Sequence, residues 1–185
     1  MIFGQTLVED LKIKNIINFL KSVEELDGDV VEVGVYKGGT SSIISEYTKS
    51  NIHLFDTFEG MPYHSPEMGE KWGLKSFNDT DLNGVERLFT SKPNVKCYKG
   101  VFPIDTSHNI ENLKFKFVHL DVDNYTSYKE SLNFFYDRMV VGGIIIFDDY
   151  NCDCCPGANI AIDEFFNDKV EEVTIDKSTV FIQKK

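Results

Sequence analysis

The sequence predicts an α/β protein with a mostly parallel seven-stranded sheet closed by a C-terminal antiparallel hairpin. Three observations predict it. Short β-branched and aromatic runs alternate with stretches of helical periodicity along the chain. The run at Val30 passes through a glycine-rich turn into a helix and then into a second run, which makes a βαβ unit. The last two runs are separated only by Asp176, Lys177 and Ser178, short enough for a hairpin turn.

The elements follow in order. Val8, Leu11, Ile13, Ile16, Ile17, Phe19 and Leu20 recur at helical spacing, so residues 7–25 read as an amphipathic helix stopped near Gly28. Val30 to Val35 is the first strand, with Glu32 inside it, and it runs into Gly38-Gly39. Thr40-Ser41-Ser42 then opens a helix reaching Lys49. Ile52 to Phe55 is the second strand and ends at Asp56. Residues 57–80 hold Gly, Pro, Met, His and Trp without periodicity; inside a compact domain such a stretch is a lid or binding loop. Residues 81–91 form a short helix and Val95 to Tyr98 the third strand, followed by Gly100. Phe115 to Leu120 is the fourth strand, ending at Asp121, and Ser127 to Arg138 is helical. Gly143 to Phe147 is the fifth strand, ending at Asp148-Asp149. Pro156 suits a helix start, and Ala158 to Phe166 continues that helix. Val170 to Ile175 and Thr179 to Ile182 close the sheet. With no repeat or linker, residues 1–185 read as one domain, of which 1–28 is the N-terminal helical segment.

Composition narrows the partners. Nineteen Lys and Arg against 30 Asp and Glu give a net charge of −11, a field that repels nucleic acid and anionic membranes. The apolar runs fall far short of the roughly 20 residues of a membrane span, and the N-terminus lacks a signal-peptide pattern, so a cytoplasmic protein is expected. Cys152, Cys154 and Cys155 crowd together and Cys97 stands apart. That is neither a disulfide framework nor a zinc spacing, and free thiols in a loop are expected.

In sheets of this kind ligands bind at the carboxyl ends of the strands. Those ends present Gly34 to Thr40, then Asp56, then Gly100 and Phe102, then Asp121 and Asp123, and finally Asp148 and Asp149. The glycine turn matches neither G-x-G-x-x-G nor a P-loop. Asp56, about 20 residues past the glycines, can accept both hydroxyls of a ribose, or merely cap the next turn. Asp121, Asp148 and Asp149 end two strands expected to be neighbours. A hard divalent cation would relieve their mutual repulsion; capping is the bland alternative. His53 and His119 lie inside strands and read as core imidazoles, whereas His64 lies in the long loop, where it could meet a substrate.

The ordered blocks Glu32-Val-Gly-Val-Tyr-Lys-Gly-Gly-Thr-Ser41, Phe55-Asp-Thr-Phe-Glu-Gly-Met-Pro62, Lys99-Gly-Val-Phe-Pro-Ile-Asp-Thr106, His119-Leu-Asp-Val-Asp-Asn-Tyr125 and Gly142-Gly-Ile-Ile-Ile-Phe-Asp-Asp-Tyr150 resemble the macrocin/mycinamicin-type O-methyltransferase family. The resemblance covers about residues 29 to 166. It implies a single-domain Rossmann-like methyltransferase fold, S-adenosylmethionine as methyl donor, Mg²⁺ or another divalent cation, and a sugar or glycosylated acceptor. Carried over by position, Glu32, Gly34, Tyr36, Gly38, Thr40 and Ser41 surround the methionine part of the donor. Asp56 holds the ribose, Gly100 and Phe102 flank the adenine, and Asp121, Asp148 and Asp149 bind the metal, with Asp121 also bordering the donor.

The residues fit that chemistry. A sugar hydroxyl is a poor nucleophile until it loses its proton, so a base is needed: Asp121 first, then Asp123 and His64. Tyr63, Trp72 and Phe77 could stack on the apolar face of a sugar. The expected partner is a small-molecule or glycan hydroxyl, with a homo-oligomer left open. The rival readings are a nicotinamide-dependent oxidoreductase, which the broken glycine fingerprint disfavours, and a non-catalytic cofactor-binding or assembly protein.

Overall fold

A computed structural model describes residues 4–185. Five helices and seven strands alternate: α1 (Asp10–Ser22), β1 (Asp29–Val33), α2 (Gly39–Tyr47), β2 (Ile52–Asp56), α3 (Leu82–Leu88), β3 (Val95–Lys99), β4 (Phe115–Leu120), α4 (Tyr125–Phe135), β5 (Met139–Phe147), α5 (Pro156–Phe166), β6 (Thr174–Asp176) and β7 (Thr179–Gln183). The strand order is β3-β2-β1-β4-β5-β7-β6. Strands β1 to β5 pair in parallel, and β7 runs antiparallel to both β5 and β6. The α/β class, the seven strands and the closing hairpin are all as the sequence indicates.

Helices cover both faces, which is why the central strands are apolar on both sides. Val31, Val33, Val118, Leu120, Ile145 and Phe147 pack against Tyr128 and Leu132 of α4 and Ala158 and Ile162 of α5. Val30, Phe117, Ile144 and Ile146 pack on the other face against Ile16 and Leu20 of α1, Ile44 of α2 and Val85 of α3. Side chains alternate along a strand, so Glu32 and His119 share this second face with Val30 and Phe117. Asp148, two residues past Ile146, continues the same row.

Local chemistry moves some boundaries. The first helix is shorter than its periodicity suggests. Gly4 N–H donates to the Lys37 carbonyl (2.8 Å), and the hydroxyls of Thr6 and Thr40 meet at 2.7 Å. These bonds lay the segment before α1 across the start of α2. Helix α4 begins two residues early because the Asn124 side chain accepts Ser127 N–H at 2.9 Å and caps it. Strand β6 is confined to three residues.

Before β6, Glu171 fastens the C-terminus. It is buried, and its carboxylate accepts the Tyr136 hydroxyl (2.5 Å) and the Lys185 amide (3.1 Å) and pairs with Lys184 (3.2 Å). Burial alone would raise its pKa. These partners outweigh burial and lower it from 4.5 to about 2. A depressed carboxylate stabilises the fold above its unfolded pKa and loses that contribution as pH falls through the folded value. Glu171→Gln should therefore cost up to about 3 kcal/mol at neutral pH, with the difference from wild type vanishing between pH 4.5 and pH 2. Urea melts across that range check it; a gap that persists unchanged at the acid end contradicts it.

Candidate active site

The carboxyl ends of β1 to β5 open onto a cavity of about 340 Å³. Its wall includes Gly34, Tyr36, Thr40, Asp56, Gly100, Phe102, Asp121, Asp123, Asp148 and Asp149. Strands β4 and β5 are neighbours, so their terminal aspartates come together as the sequence suggested. The wall also contains Gln5 to Val8 and, from the 57–80 loop, Met61, Pro62, Trp72 and Phe77.

The glycine turn is narrow for a physical reason. Gly34 has φ +92°, and a Cβ there would lie 1.7 Å from the Asp121 carbonyl oxygen. Only glycine lets the ends of β1 and β4 come this close. Asp56 then shapes the turn. Its Oδ2 accepts the amides of Val35 (2.9 Å) and Tyr36 (2.8 Å), and its Oδ1 accepts the Phe58 amide (2.7 Å). Burial raises its pKa against the pull of those amides. Oδ1 carries a single backbone donor and keeps acceptor capacity, and the residue lies on the cavity wall. Helix α2 presents its positive N-terminal end to the same cavity through Gly39 and Thr40.

Asp121, Asp148 and Asp149 each offer a carboxylate oxygen, all within 4.8 Å of one another. The three are held differently. Asp149 is fixed by the amides of Val122 (3.1 Å) and Asp123 (2.9 Å), both on Oδ2, which also lies 2.9 Å from the Tyr128 hydroxyl. Its other oxygen is left for the cluster. Asp148 pairs with Lys12 of α1, whose Nζ lies 3.2 Å from Oδ2 and 2.6 Å from the Asp148 carbonyl. The Asp121 carboxylate takes no hydrogen bond from any described residue.

The charges answer to this arrangement. Burial, then Asp148 and Asp149, raise the pKa of Asp121 well above the usual carboxylate range. Burial and Asp148 also raise that of Asp149. Burial opposes ionisation of Asp148 too, but His119 and Lys12 outweigh it and lower its pKa. A cluster whose members hold one another's protons is what a bound dication would relieve. Asp148 Oδ1, buried and without a hydrogen-bond partner, and the undonated Asp121 carboxylate supply open oxygen positions of the hard type that Mg²⁺ prefers. The residues present therefore fit such an ion.

Asp123 borders the cluster in the left-handed region, φ +63°. The Cys155 thiol donates to its Oδ1 at 3.3 Å. Burial and the Asp149 charge raise its pKa to about 7. All four cysteines are free.

Several expected site residues lie off the wall. Glu32 is turned into the α1–α3 layer by strand alternation, where it accepts the Ser41 hydroxyl and meets His119 Nδ1 at 2.9 Å. Gly38, which closes the turn through its bond to the Val35 carbonyl, and Ser41 of α2 are not on the cavity wall. His64 faces Glu70 instead, with Nδ1 3.9 Å from the carboxylate. Glu70 is buried and accepts the amides of Ser65 (2.6 Å) and Tyr125 (2.7 Å), the latter opening α4, so it pins the long loop to the helix that follows β4. A Cβ at Gly157 would lie 2.5 Å from Glu70 Oε1, which leaves that close approach to glycine. Tyr63 is also outside the wall, whereas Trp72 and Phe77 are on it, edge to face at 5.2 Å.

Three participants escaped the sequence. Lys12 carries no motif and stands 136 positions from Asp148. His119, expected as a core imidazole, is indeed buried, yet it touches two carboxylates. Burial would lower its pKa, but Asp148 and Glu32 raise it to about 10. Glu70 lay in a stretch without periodicity. Among the described residues no helix is long and apolar enough to cross a membrane.

Comparison with known proteins bears on this site. A family model described as macrocin-O-methyltransferase (TylF) matches residues 2–184. Mycinamicin III 3''-O-methyltransferase of Micromonospora griseorubida is 25% identical, over 88% of this chain and 70% of that protein. An 8-demethyl-8-(2,3-dimethoxy-alpha-L-rhamnosyl)-tetracenomycin-C 4'-O-methyltransferase of Streptomyces olivaceus is 29% identical, over 71% of this chain and 56% of that one. The solved structure of the O-methyltransferase NovP superposes with a TM-score of 0.79 at 25% identity, covering 98% of this chain and 82% of that chain.

Proposed function

The chain belongs to the macrocin-O-methyltransferase (TylF) family, and we propose that it moves the methyl group of S-adenosylmethionine to a sugar hydroxyl with a divalent cation held by Asp121, Asp148 and Asp149. The chain is an O-methyltransferase with a Rossmann-like fold. The observation that carries the finer reading is the three-carboxylate cluster opening into the same cavity as the Asp56 turn. The printed names of the relatives, one of them a methyltransferase of a rhamnosylated compound, support a glycosylated acceptor. Neither an oxidoreductase nor a non-catalytic role draws support from these comparisons.

Each residue then has a task. Asp56 Oδ1 accepts from the ribose of the donor, while the turn it shapes and the start of α2 receive the methionine end. Gly100 and Phe102 border the adenine. Methyl transfer is an in-line displacement, so holding donor and acceptor in line supplies much of the rate. When bound by the cluster, a divalent cation would supply Lewis acidity and so lower the pKa of the acceptor hydroxyl. The carboxylates of Asp121, Asp148 and Asp149 hold that charge in place. Asp123 Oδ2 takes the hydroxyl proton; Asp123 replaces Asp121 as the favoured base because a carboxylate serving as a ligand is not free to accept a proton. His64, off the wall, is given no role in the proposed transfer. Trp72 and Phe77 offer apolar faces to the sugar and shed water from the reacting atoms.

The test uses donor carrying an isotopically labelled methyl group, with nucleotide-linked and aglycone-linked deoxysugars as acceptors. Mass spectrometry should find the label on a sugar oxygen. Label on nitrogen, on carbon or only on the aglycone contradicts the reading.

A further inference from the structure

We propose that Glu32 and His119 are positioning residues, a buried support that fixes the Asp148 carboxylate for its cation, and that Glu32 does not touch the methyl donor. The inference rests on the cation-assisted reading above and assigns work to side chains that reading leaves idle.

The sheet register puts Glu32 of β1 directly beside His119 of β4, on the face covered by α1 and α2. Both are essentially without solvent contact, at 1% and 0% exposure. His119 Nδ1 lies 2.9 Å from Glu32 Oε1, and the Ser41 hydroxyl of α2 donates to Oε2. Both carboxylate oxygens of Glu32 are thus engaged inside the protein. The other imidazole nitrogen, Nε2, faces Asp148 Oδ1 at 3.9 Å. That is ion-pair distance, beyond a hydrogen bond. Each of these two atoms is buried, and neither has a hydrogen-bond partner. Lys12 holds the opposite oxygen of Asp148.

Asp148 therefore sits between an imidazole and an ammonium. Asp149 is held by amides and a phenol instead, so the support is particular to Asp148. A buried carboxylate–imidazole pair is a poor way to stabilise a core, since an apolar pair of similar volume does as well or better. Its value lies in orientation. Partners behind a metal-binding side chain fix its rotamer, and losing one costs about 10–100-fold in metal affinity.

The experiment separates the two binding events on the full-length chain. Calorimetry measures Mg²⁺ alone and S-adenosylhomocysteine alone for wild type, Glu32→Gln, His119→Gln and Ser41→Ala. The expected result is Mg²⁺ affinity about 10–100-fold weaker in the first two variants, and less so in Ser41→Ala, with S-adenosylhomocysteine affinity held within about twofold. Saturating Mg²⁺ should then restore most of kcat, which a loss of folded structure would not allow. A Glu32→Gln variant that loses S-adenosylhomocysteine and keeps Mg²⁺ makes Glu32 a donor ligand and overturns the proposal. Unchanged Mg²⁺ affinity in the variants also overturns it, while leaving the cation-assisted reading intact. A wild-type chain that takes up no divalent ion removes both. Should Glu32→Gln and His119→Gln fail to fold, His119→Asn decides: its shorter amide withdraws the group that faces Asp148 Oδ1, and unmoved Mg²⁺ binding in it overturns the proposal.

Discussion

Replacing Asp148 and Asp149 together by asparagine lowers methyl transfer by about a thousandfold or more while S-adenosylhomocysteine still binds within a few-fold of wild type; about 4 kcal/mol of transition-state stabilisation corresponds to that factor. The two residues directly follow β5 and give the cluster two of its three carboxylates. Asparagine keeps their volume, and its side-chain oxygen can still accept from the Val122 and Asp123 amides, so the local backbone should survive. What disappears is the negative charge that, in the proposed reading, holds a dication and with it the acceptor hydroxyl. In the proposed reading the donor contacts a different stretch of the wall, built from Asp56 and the turn after β1, which is why the two readouts should separate. Initial rates with labelled donor and calorimetry with S-adenosylhomocysteine measure them. Equal losses in both would mean that the carboxylates hold the cavity together instead of acting on the acceptor.

Asp56→Ala gives the opposite separation: S-adenosylhomocysteine binding falls by about 100-fold or more, since a loss near 3 kcal/mol is enough for that factor. Removing the carboxylate leaves the amides of Val35, Tyr36 and Phe58 without an acceptor, and hydrogen bonds to a charged group contribute about 1.5–3 kcal/mol each. The turn from Gly34 to Lys37 then loses the group that sets its shape, and the ribose loses the acceptor proposed for it. The cation cluster is anchored on β4 and β5, so Mg²⁺ binding should persist. Calorimetry on both ligands checks this, and S-adenosylhomocysteine affinity within about threefold of wild type would show that the turn holds its shape without Asp56.

These two halves of the site differ in how plainly the sequence displays them. Asp121, Asp148 and Asp149 follow apolar β-branched runs, and a carboxylate there is conspicuous because nothing in the strand pattern requires it. Asp56 is visible for the same reason. Its three amide bonds are not, because they depend on where the following turn folds back. Glu32 and His119 were harder to place. A strand buried on both faces has no polar alternation, so sequence alone does not say which face a lone charge occupies. Parity along the folded strand resolves it: both share a row with Val30 and Phe117, away from the cavity. Lys12 looks like any solvated residue on the polar side of an amphipathic helix, and only the packing of α1 against α2 and β7 brings its ammonium to Asp148. The 57–80 loop carries no periodicity, yet Glu70 secures it to the start of α4 through a bond that links residues 55 positions apart.

The measurement that bears most directly on the central claim is methyl transfer by wild-type protein stripped of divalent ions, with its residual metal content determined by elemental analysis. The rate should fall to background in excess chelator and return in full, saturably, as Mg²⁺ is added back, with donor binding unchanged throughout. Full-rate transfer by protein shown to be metal-free would contradict it and leave the aspartate cluster without its assigned role.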